Sequence, residues 1–152
     1  MKEWLTDFTT FRLGGSCREL VTVADGVAAA KVIREWNAAG IAWRVMGGGS
    51  NLLVADAGIP EAVLRLFTEV PDCRLEGETI SVPAGAALDA VSQFSAEAGK
   101  TGLGFAAGIP GTVGGGICGN AGAFGSQLGD VVERVEVLTR GGDARVLRRE
   151  EL

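Results

Sequence analysis

Two glycine-rich stretches decide how this sequence folds: VMGGGSNLLV at residues 45–54 and GLGFAAGIPGTVGGGICGNAGAFG at residues 102–125. Glycine accounts for 24 of the 152 residues, about twice the ordinary share, and half of these glycines lie between Gly99 and Gly129. The chain has no strict pattern of glycine at every third residue, which excludes a collagen-like chain. Because 47% of the residues are hydrophobic, the chain can bury a core and is not a disordered low-complexity sequence.

The first stretch has the composition of an anion-binding loop. Gly47, Gly48 and Gly49 follow a short apolar run that is typical of a strand. Successive glycines can adopt positive φ and turn several backbone N–H groups toward one phosphate, and Ser50 and Asn51 add short polar side chains. An ordinary tight connection between two strands is the alternative. A hairpin needs only one or two glycines, so the pattern favours phosphate binding.

The second stretch is nearly free of charged and bulky side chains. Its glycine content predicts that it cannot be a regular helix throughout. Its main-chain groups could line a flat aromatic ligand, but close packing of backbone in a buried crossover explains the same residues equally well.

The elements around these stretches predict an α+β fold of two lobes, residues 1–68 and 69–152, which share a site at the two glycine stretches. In the first lobe, Asp25 is a predicted helix N-cap and Gly40 follows the helix end. Predicted strands of this lobe are 17–24, 41–46, 52–55 and 62–67.

The second lobe is predicted to hold two hairpins with a helix between them. Gly77-Glu78 is a two-residue turn between strands 74–76 and 79–82. Ala87, Val91, Phe94 and Ala98 share one helical face. The other hairpin joins strands 131–139 and 144–147, and a short helix is predicted to begin at 148.

Composition excludes several classes of function. The net charge is -5 and no run of basic residues marks a nucleic-acid binder. The chain has no histidine, which excludes Ser-His-Asp and Cys-His catalysis and histidine metal ligands. Three scattered cysteines without a CxxC pair argue against structural zinc and favour a reducing, cytoplasmic location. We find no signal peptide or membrane-length apolar run, and expect no metal site, nucleic-acid partner or membrane partner.

Three motifs in order resemble the UDP-N-acetylenolpyruvoylglucosamine reductase (MurB) family: TFRLGG at 10–15, MGGGSNLLV at 46–54, and the stretch at 102–125. GGGSN alone is typical of the wider vanillyl-alcohol-oxidase-type FAD-binding superfamily. AGIPGTVGG at 107–115, followed by NAGA at 120–123, narrows the resemblance to the reductase. The resemblance implies a two-lobed FAD-binding domain of the vanillyl-alcohol-oxidase/MurB type with noncovalent FAD between the lobes.

The resemblance also implies a set of cofactor-binding residues. The segment 46–52 would wrap the pyrophosphate and the adjacent sugar. The segment 108–115 would run along the pyrophosphate and the flavin, and the segment 120–123 would complete the pocket. These residues are Met46, Gly47, Gly48, Gly49, Ser50, Asn51 and Leu52; Gly108, Ile109, Pro110, Gly111, Thr112, Gly114 and Gly115; and Asn120, Gly122 and Ala123. Two positions depart from the family pattern, Gly104 in place of a glutamate and Phe124 in place of a common tyrosine.

Members of this family are longer and carry a third, substrate-binding domain. Their catalytic arginine, serine and glutamate have no matching positions in these 152 residues, so we expect no catalytic residue here and no turnover by this chain alone. In the full enzyme NADPH would reduce FAD and the substrate would be a UDP-sugar of peptidoglycan synthesis. We expect a cytoplasmic monomer. The alternatives are a non-catalytic flavin-binding module, or another FAD oxidase of the superfamily completed by a partner chain.

Overall fold

The computed structural model describes residues 3–152. Residues 1–2 of the predicted first lobe therefore lie outside the described residues. The strands are β1 (Glu3–Trp4), β2 (Ser16–Cys17), β3 (Leu20–Val23), β4 (Trp43–Met46), β5 (Ala62–Leu66), β6 (Arg74–Glu76), β7 (Thr79–Ser81), β8 (Gly122–Ala123), β9 (Ser126–Gln127), β10 (Arg134–Leu138) and β11 (Ala144–Arg148). The α-helices are α1 (Gly26–Ala38), α2 (Leu88–Glu97), α3 (Val113–Cys118) and α4 (Leu128–Val131). Short 3-10 helices cover Leu5–Phe8, Gly104–Ala106 and Arg149–Glu151.

A parallel three-stranded sheet, in the order β3-β5-β4, forms the centre of the first half of the chain. Helix α1 connects β3 to β4 and packs its apolar face on the sheet, where Ile33 and Trp36 contact the side of Leu64. The predicted caps of this helix are confirmed. The Asp25 carboxylate accepts a hydrogen bond from Ala28 N at 2.8 Å, and Gly40 has φ +64° just beyond the helix end.

The opposite face of the sheet packs on the N-terminal segment through Leu5, Cys17, Met46 and Val63. The predicted strand at 52–55 is wrong, because this segment does not join the sheet. Gly15 N instead donates to Ala55 O at 2.9 Å, and the segment lies against the loop before β2. The apolar run that suggested a buried strand is partly on the surface, since Leu53 is 78% exposed.

The second half has its own core and follows its predicted order closely. The predicted turn at Gly77 joins β6 and β7, and α2 ends before Gly99, which has φ +68°. The buried residues of this core are Ala86, Leu88, Val91, Phe105, Ala106, Val113 and Leu128. The predicted strand start at Val131 is wrong: this residue ends α4, whose first turn is held by the Asp130 carboxylate bonding to Gln127 N at 3.1 Å.

The hairpin β10–β11 links the two halves. Arg34 Nη2 on α1 donates to Gly142 O at 2.9 Å, and Asn37 Nδ2 donates to Arg140 O at 2.7 Å. Leu138 packs against the core under α1. Within residues 3–152 no helix is long and apolar enough to span a membrane, and no group of histidine, cysteine and acidic side chains is arranged to hold a metal ion.

Candidate functional site

The first glycine stretch lies at the carboxyl end of the parallel sheet, directly after β4. Ligands of open parallel sheets bind at this end. The loop is fixed by the N-terminal segment, because Thr10 N donates to Gly49 O at 3.1 Å. Gly49 has φ +71°, and a Cβ there would lie 2.0 Å from the carbonyl oxygen of Phe8. Only glycine therefore fits at this position without moving the backbone.

The backbone donors of this loop have no partners among the residues that the structure describes. Within the described part of the chain, none of the five N–H groups from Gly47 to Asn51 donates a hydrogen bond to another residue. We call these five residues the N–H cradle. Unpaired backbone donors are uncommon in folded proteins unless water or a ligand meets them. A run of such donors in a glycine loop is the geometry that binds phosphate.

The second glycine stretch meets the cradle directly. Ser50 Oγ donates to Pro110 O at 2.9 Å, across 60 residues of sequence. A Cβ at Gly47 would lie 2.2 Å from Thr112 Oγ1, and one at Gly111 would lie 2.6 Å from Ser50 Oγ. The two stretches approach each other so closely that side chains are excluded from the contact.

The turn before α3 adds two donors and is otherwise held by protein contacts. Gly111 N and Thr112 N have no acceptor among residues 3–152. In contrast, Gly114 N donates to Ala84 O at 2.7 Å, and Gly108 N donates to the Asp89 carboxylate at 2.8 Å. The N–H groups of these two glycines are thus used to fix the loop.

Several of the remaining predicted residues support the site from the protein side. Met46 is buried beneath the cradle, with its Cε 3.1 Å from the position of a Cβ at Gly49. Thr112 is also buried, and its hydroxyl accepts a bond from Gly115 N at 3.4 Å to begin α3. Ile109 packs partly on the second core, while Leu52 is 38% exposed.

The third predicted group lies beyond α3, on the β8–β9 hairpin. Asn120 has φ +46°, and its side-chain oxygen accepts from Gly129 N at 2.9 Å. A Cβ at Gly122 would lie 2.4 Å from Ser126 O, so the tight hairpin requires this glycine. In the described chain no hydrogen bond joins Asn120, Gly122 or Ala123 to the N–H cradle.

Sequence reasoning missed one charged residue beside this site, Arg65 on β5. The ladder between β4 and β5 pairs it with Met46, the residue before the cradle. Its guanidinium carbon lies 4.1 Å from the ring centre of Phe67 and 5.3 Å from that of Phe8. Burial lowers the pKa of Arg65. The signal in the sequence that could have identified Arg65 is its position as the single charged residue inside the apolar run AVLRL at 62–66.

Comparison with protein families gives a match to the model described as "FAD binding domain" over residues 18–148. The chain belongs to this FAD-binding domain family. FAD, the cofactor expected from the sequence, is the one that the family description names. The predicted fold class and the resemblance to the MurB family are both confirmed by the relatives of this FAD-binding domain.

Two relatives illustrate the similarity in sequence. The UDP-N-acetylenolpyruvoylglucosamine reductase of Heliobacterium modesticaldum is 38% identical over 151 residues, which cover 99% of this chain and 48% of that protein. The enzyme of the same name from Bacillus subtilis is 36% identical over 154 residues, with 99% and 50% coverage. This FAD-binding domain therefore spans about half the length of the curated relatives it matches.

Two solved structures are similar in fold. The MurB reductase from Thermus caldophilus superimposes with a TM-score of 0.81 at 37% identity, over 100% of this chain and 53% of that one. Xylooligosaccharide oxidase from Myceliophthora thermophila gives a TM-score of 0.69 at 18% identity, over 97% and 33%. The second similarity shows that the fold of the FAD-binding domain is shared with an oxidase.

Proposed function

We propose that this chain is the FAD-binding part of an NADPH-dependent UDP-N-acetylenolpyruvoylglucosamine reductase, which makes UDP-N-acetylmuramate for peptidoglycan synthesis in the bacterial cytoplasm. The observation that carries the proposal is the joining of the two glycine stretches through Ser50 and Pro110, with the free N–H groups of the cradle beside that contact. The reductases of this name that match nearly the whole chain support the reaction and the UDP-sugar substrate.

The residues present fit FAD. A dinucleotide needs donors for two phosphates and a surface without side chains along which the pyrophosphate can lie. The cradle supplies the donors, and Gly47 and Gly111 stand where a Cβ would collide with the opposite loop. We assign the pyrophosphate and adjacent sugar to the segment 46–52, the pyrophosphate and flavin to 108–115, and the rest of the pocket to Asn120, Gly122 and Ala123.

In this arrangement the protein residues bind and orient FAD, and the cofactor carries out the redox chemistry. Bound FAD supplies hydride transfer from NADPH to the enolpyruvyl group. We propose that the pyrophosphate lies between a first lobe at 1–68 and a second lobe at 69–152. Ser50 holds the two loops at a fixed separation, and buried Thr112 keeps the beginning of α3 in place. Both contacts would orient the flavin by fixing the pyrophosphate.

We assign no catalytic residue to this chain and propose that it does not complete the reaction alone. The chain covers only about half of its relatives, and the resemblance implies that the proton donor and substrate-binding residues lie in the other half. The working enzyme would be a monomer in this proposal.

Uptake of FAD by the purified chain tests the proposal. We expect one FAD per chain, seen as a yellow protein whose flavin is released unchanged on acid denaturation, as a noncovalent cofactor must be. The same sample should not oxidise NADPH in the presence of the enolpyruvyl UDP-sugar. A protein that remains colourless after incubation with FAD would contradict the cofactor assignment. Sustained turnover by these 152 residues would contradict the assignment of catalysis elsewhere.

A further inference from the structure

Arg65 is a half-buried cation that has no anionic partner among residues 3–152. Its Nε is buried and has no hydrogen-bond partner in the described part of the chain. None of the ion pairs within residues 3–152 includes its guanidinium. A buried charge without a partner is costly, and such a group is usually retained for a reason other than stability. Arginine stays protonated even when burial lowers its pKa, so the positive charge is present.

The position of Arg65 places its charge at the same corner of the fold as the cradle. Arg65 and Met46 are register partners on adjacent strands, and the cradle begins at the next residue, Gly47. Side chains alternate along a strand, so Arg65 lies on the same face as Val63, which shares a buried cluster with Met46. This is the face that packs on the N-terminal segment.

Two phenylalanines flank the guanidinium, at 5.3 Å for Phe8 and 4.1 Å for Phe67. Phe8 supplies the carbonyl group against which Gly49 packs. Phe67 precedes Thr68, whose N–H donates to Gly85 O at 3.0 Å. The residue before Gly85, Ala84, accepts a bond from Gly114 N in the first turn of α3. Stacking on aromatic faces leaves the edge of a guanidinium free to bind an anion in its plane.

We propose that the Arg65 guanidinium is a positioning ligand for the pyrophosphate of FAD. This inference rests on the proposed function, because it concerns the same cofactor. The cradle offers only neutral N–H groups to a pyrophosphate with two negative charges, and Arg65 supplies the missing positive charge. A chain of net charge -5 has little general attraction for such an anion, so a local cation strengthens its binding.

The test compares Arg65→Met, which keeps an unbranched apolar side chain and removes the charge, with Arg65→Lys, which keeps the charge. The matched control is Arg74→Met on the exposed hairpin, where Arg74 pairs with Asp72. FAD affinity is measured by quenching of flavin fluorescence. We expect Arg65→Met to weaken FAD binding by about tenfold or more, Arg65→Lys to weaken it less, and the control to stay within about twofold of wild type.

A second measurement separates an electrostatic role from a packing role. The FAD-free Arg65→Met protein should melt at the same temperature as wild type or higher, since an unpaired buried charge has been removed. The Arg65 Nε–H signal in the NMR spectrum of wild type should shift on addition of inorganic pyrophosphate and not on addition of riboflavin. Increasing salt should weaken FAD binding more in wild type than in Arg65→Met.

The results for Arg65→Met and Arg65→Lys distinguish anion binding by Arg65 from packing. Unchanged FAD affinity in Arg65→Met would overturn the inference and leave the proposed function standing. Equal losses in the methionine and lysine variants, with a lower melting temperature, would assign Arg65 to packing alone. If wild type takes up no FAD, the proposed function fails. The role of Arg65 as an anion ligand then stands only if pyrophosphate shifts its Nε–H signal, and is refuted if it does not.

Discussion

Replacing Gly49 by alanine measures how closely the first glycine loop is packed on the N-terminal segment. Gly49 has φ +71°, and its added Cβ would lie 2.0 Å from the carbonyl oxygen of Phe8. Gly40, after α1, has nearly the same φ of +64° and nothing within 4 Å of its added Cβ. Gly40→Ala is therefore a control that carries the conformational penalty without the collision.

The two variants should differ by the energy of that collision. A left-handed conformation costs an alanine about 1–2 kcal/mol, which both variants lose. In Gly49→Ala the contact must also open from 2.0 Å to the ordinary range of 3.4–4 Å, and the atom in the way belongs to the backbone. Overpacking of this kind costs about 1–3 kcal/mol. We expect total losses of about 1–2 kcal/mol for Gly40→Ala and about 2–5 kcal/mol for Gly49→Ala.

Urea unfolding of both FAD-free variants gives these losses directly, and thermal unfolding gives a second reading. In a protein of this size 1 kcal/mol corresponds to about 2–4 °C, so the melting temperatures of the two variants should differ by about 2–12 °C. Equal losses in the two variants would refute the reasoning, because they would mean that the loop yields to a Cβ at no cost. Gly49 would then be required only for its φ.

Three further perturbations test the site, a helix cap and the buried thiol. Gly48→Val should abolish FAD uptake with little change in far-UV circular dichroism. The control Gly26→Val, at an exposed position with nothing within 4 Å of the added Cβ, should retain FAD uptake. Equal flavin retention in the two variants would count against the cradle. Asp25→Ala should lower the free energy of unfolding by about 1 kcal/mol in urea titrations, through loss of the bond to Ala28 N, and no change would show that the cap is not used. Burial raises the pKa of the Cys17 thiol above its ordinary value of 9.0, so the unfolded chain releases that proton first as the pH rises. The stabilisation that comes from this pKa difference is complete below about pH 9 and is lost as the pH rises through the folded-state pKa of Cys17. In urea unfolding, the free energy of unfolding of Cys17→Ala should therefore fall less at alkaline pH than that of wild type.

Signals that act within a few residues could be read from the sequence. Asp25 and Gly40 marked both ends of α1 because a carboxylate cap and a left-handed glycine act on the helix next to them. Gly77 marked its hairpin for the same reason. The apolar segment 52–55 could not be placed correctly, because what decides it is a bond from Gly15 N to Ala55 O, across 40 residues of chain.

Helix α3 shows how packing overrides local preference. Its sequence, VGGGIC, has three consecutive glycines and a poor intrinsic helix propensity. The helix forms because Thr112 caps it and because Gly116 faces Leu88 and Leu128, whose methyl carbons lie within 2.9 Å of a Cβ at that position. The sequence could indicate that the run is not helical throughout, but not which six residues are, since the leucines concerned are distant in sequence.

The hydrogen bonds of the two glycine loops show which of their backbone groups the protein itself uses. Three of their carbonyl groups accept hydrogen bonds from other segments: Gly49 O from Thr10, Pro110 O from Ser50, and Gly111 O from Leu88. The N–H groups of the cradle donate none within the described chain. These bonds fix the two loops to the protein and leave the N–H groups of the cradle, within the described residues, available to a bound pyrophosphate. This favours phosphate binding over the simple strand connection that the glycines alone could not exclude.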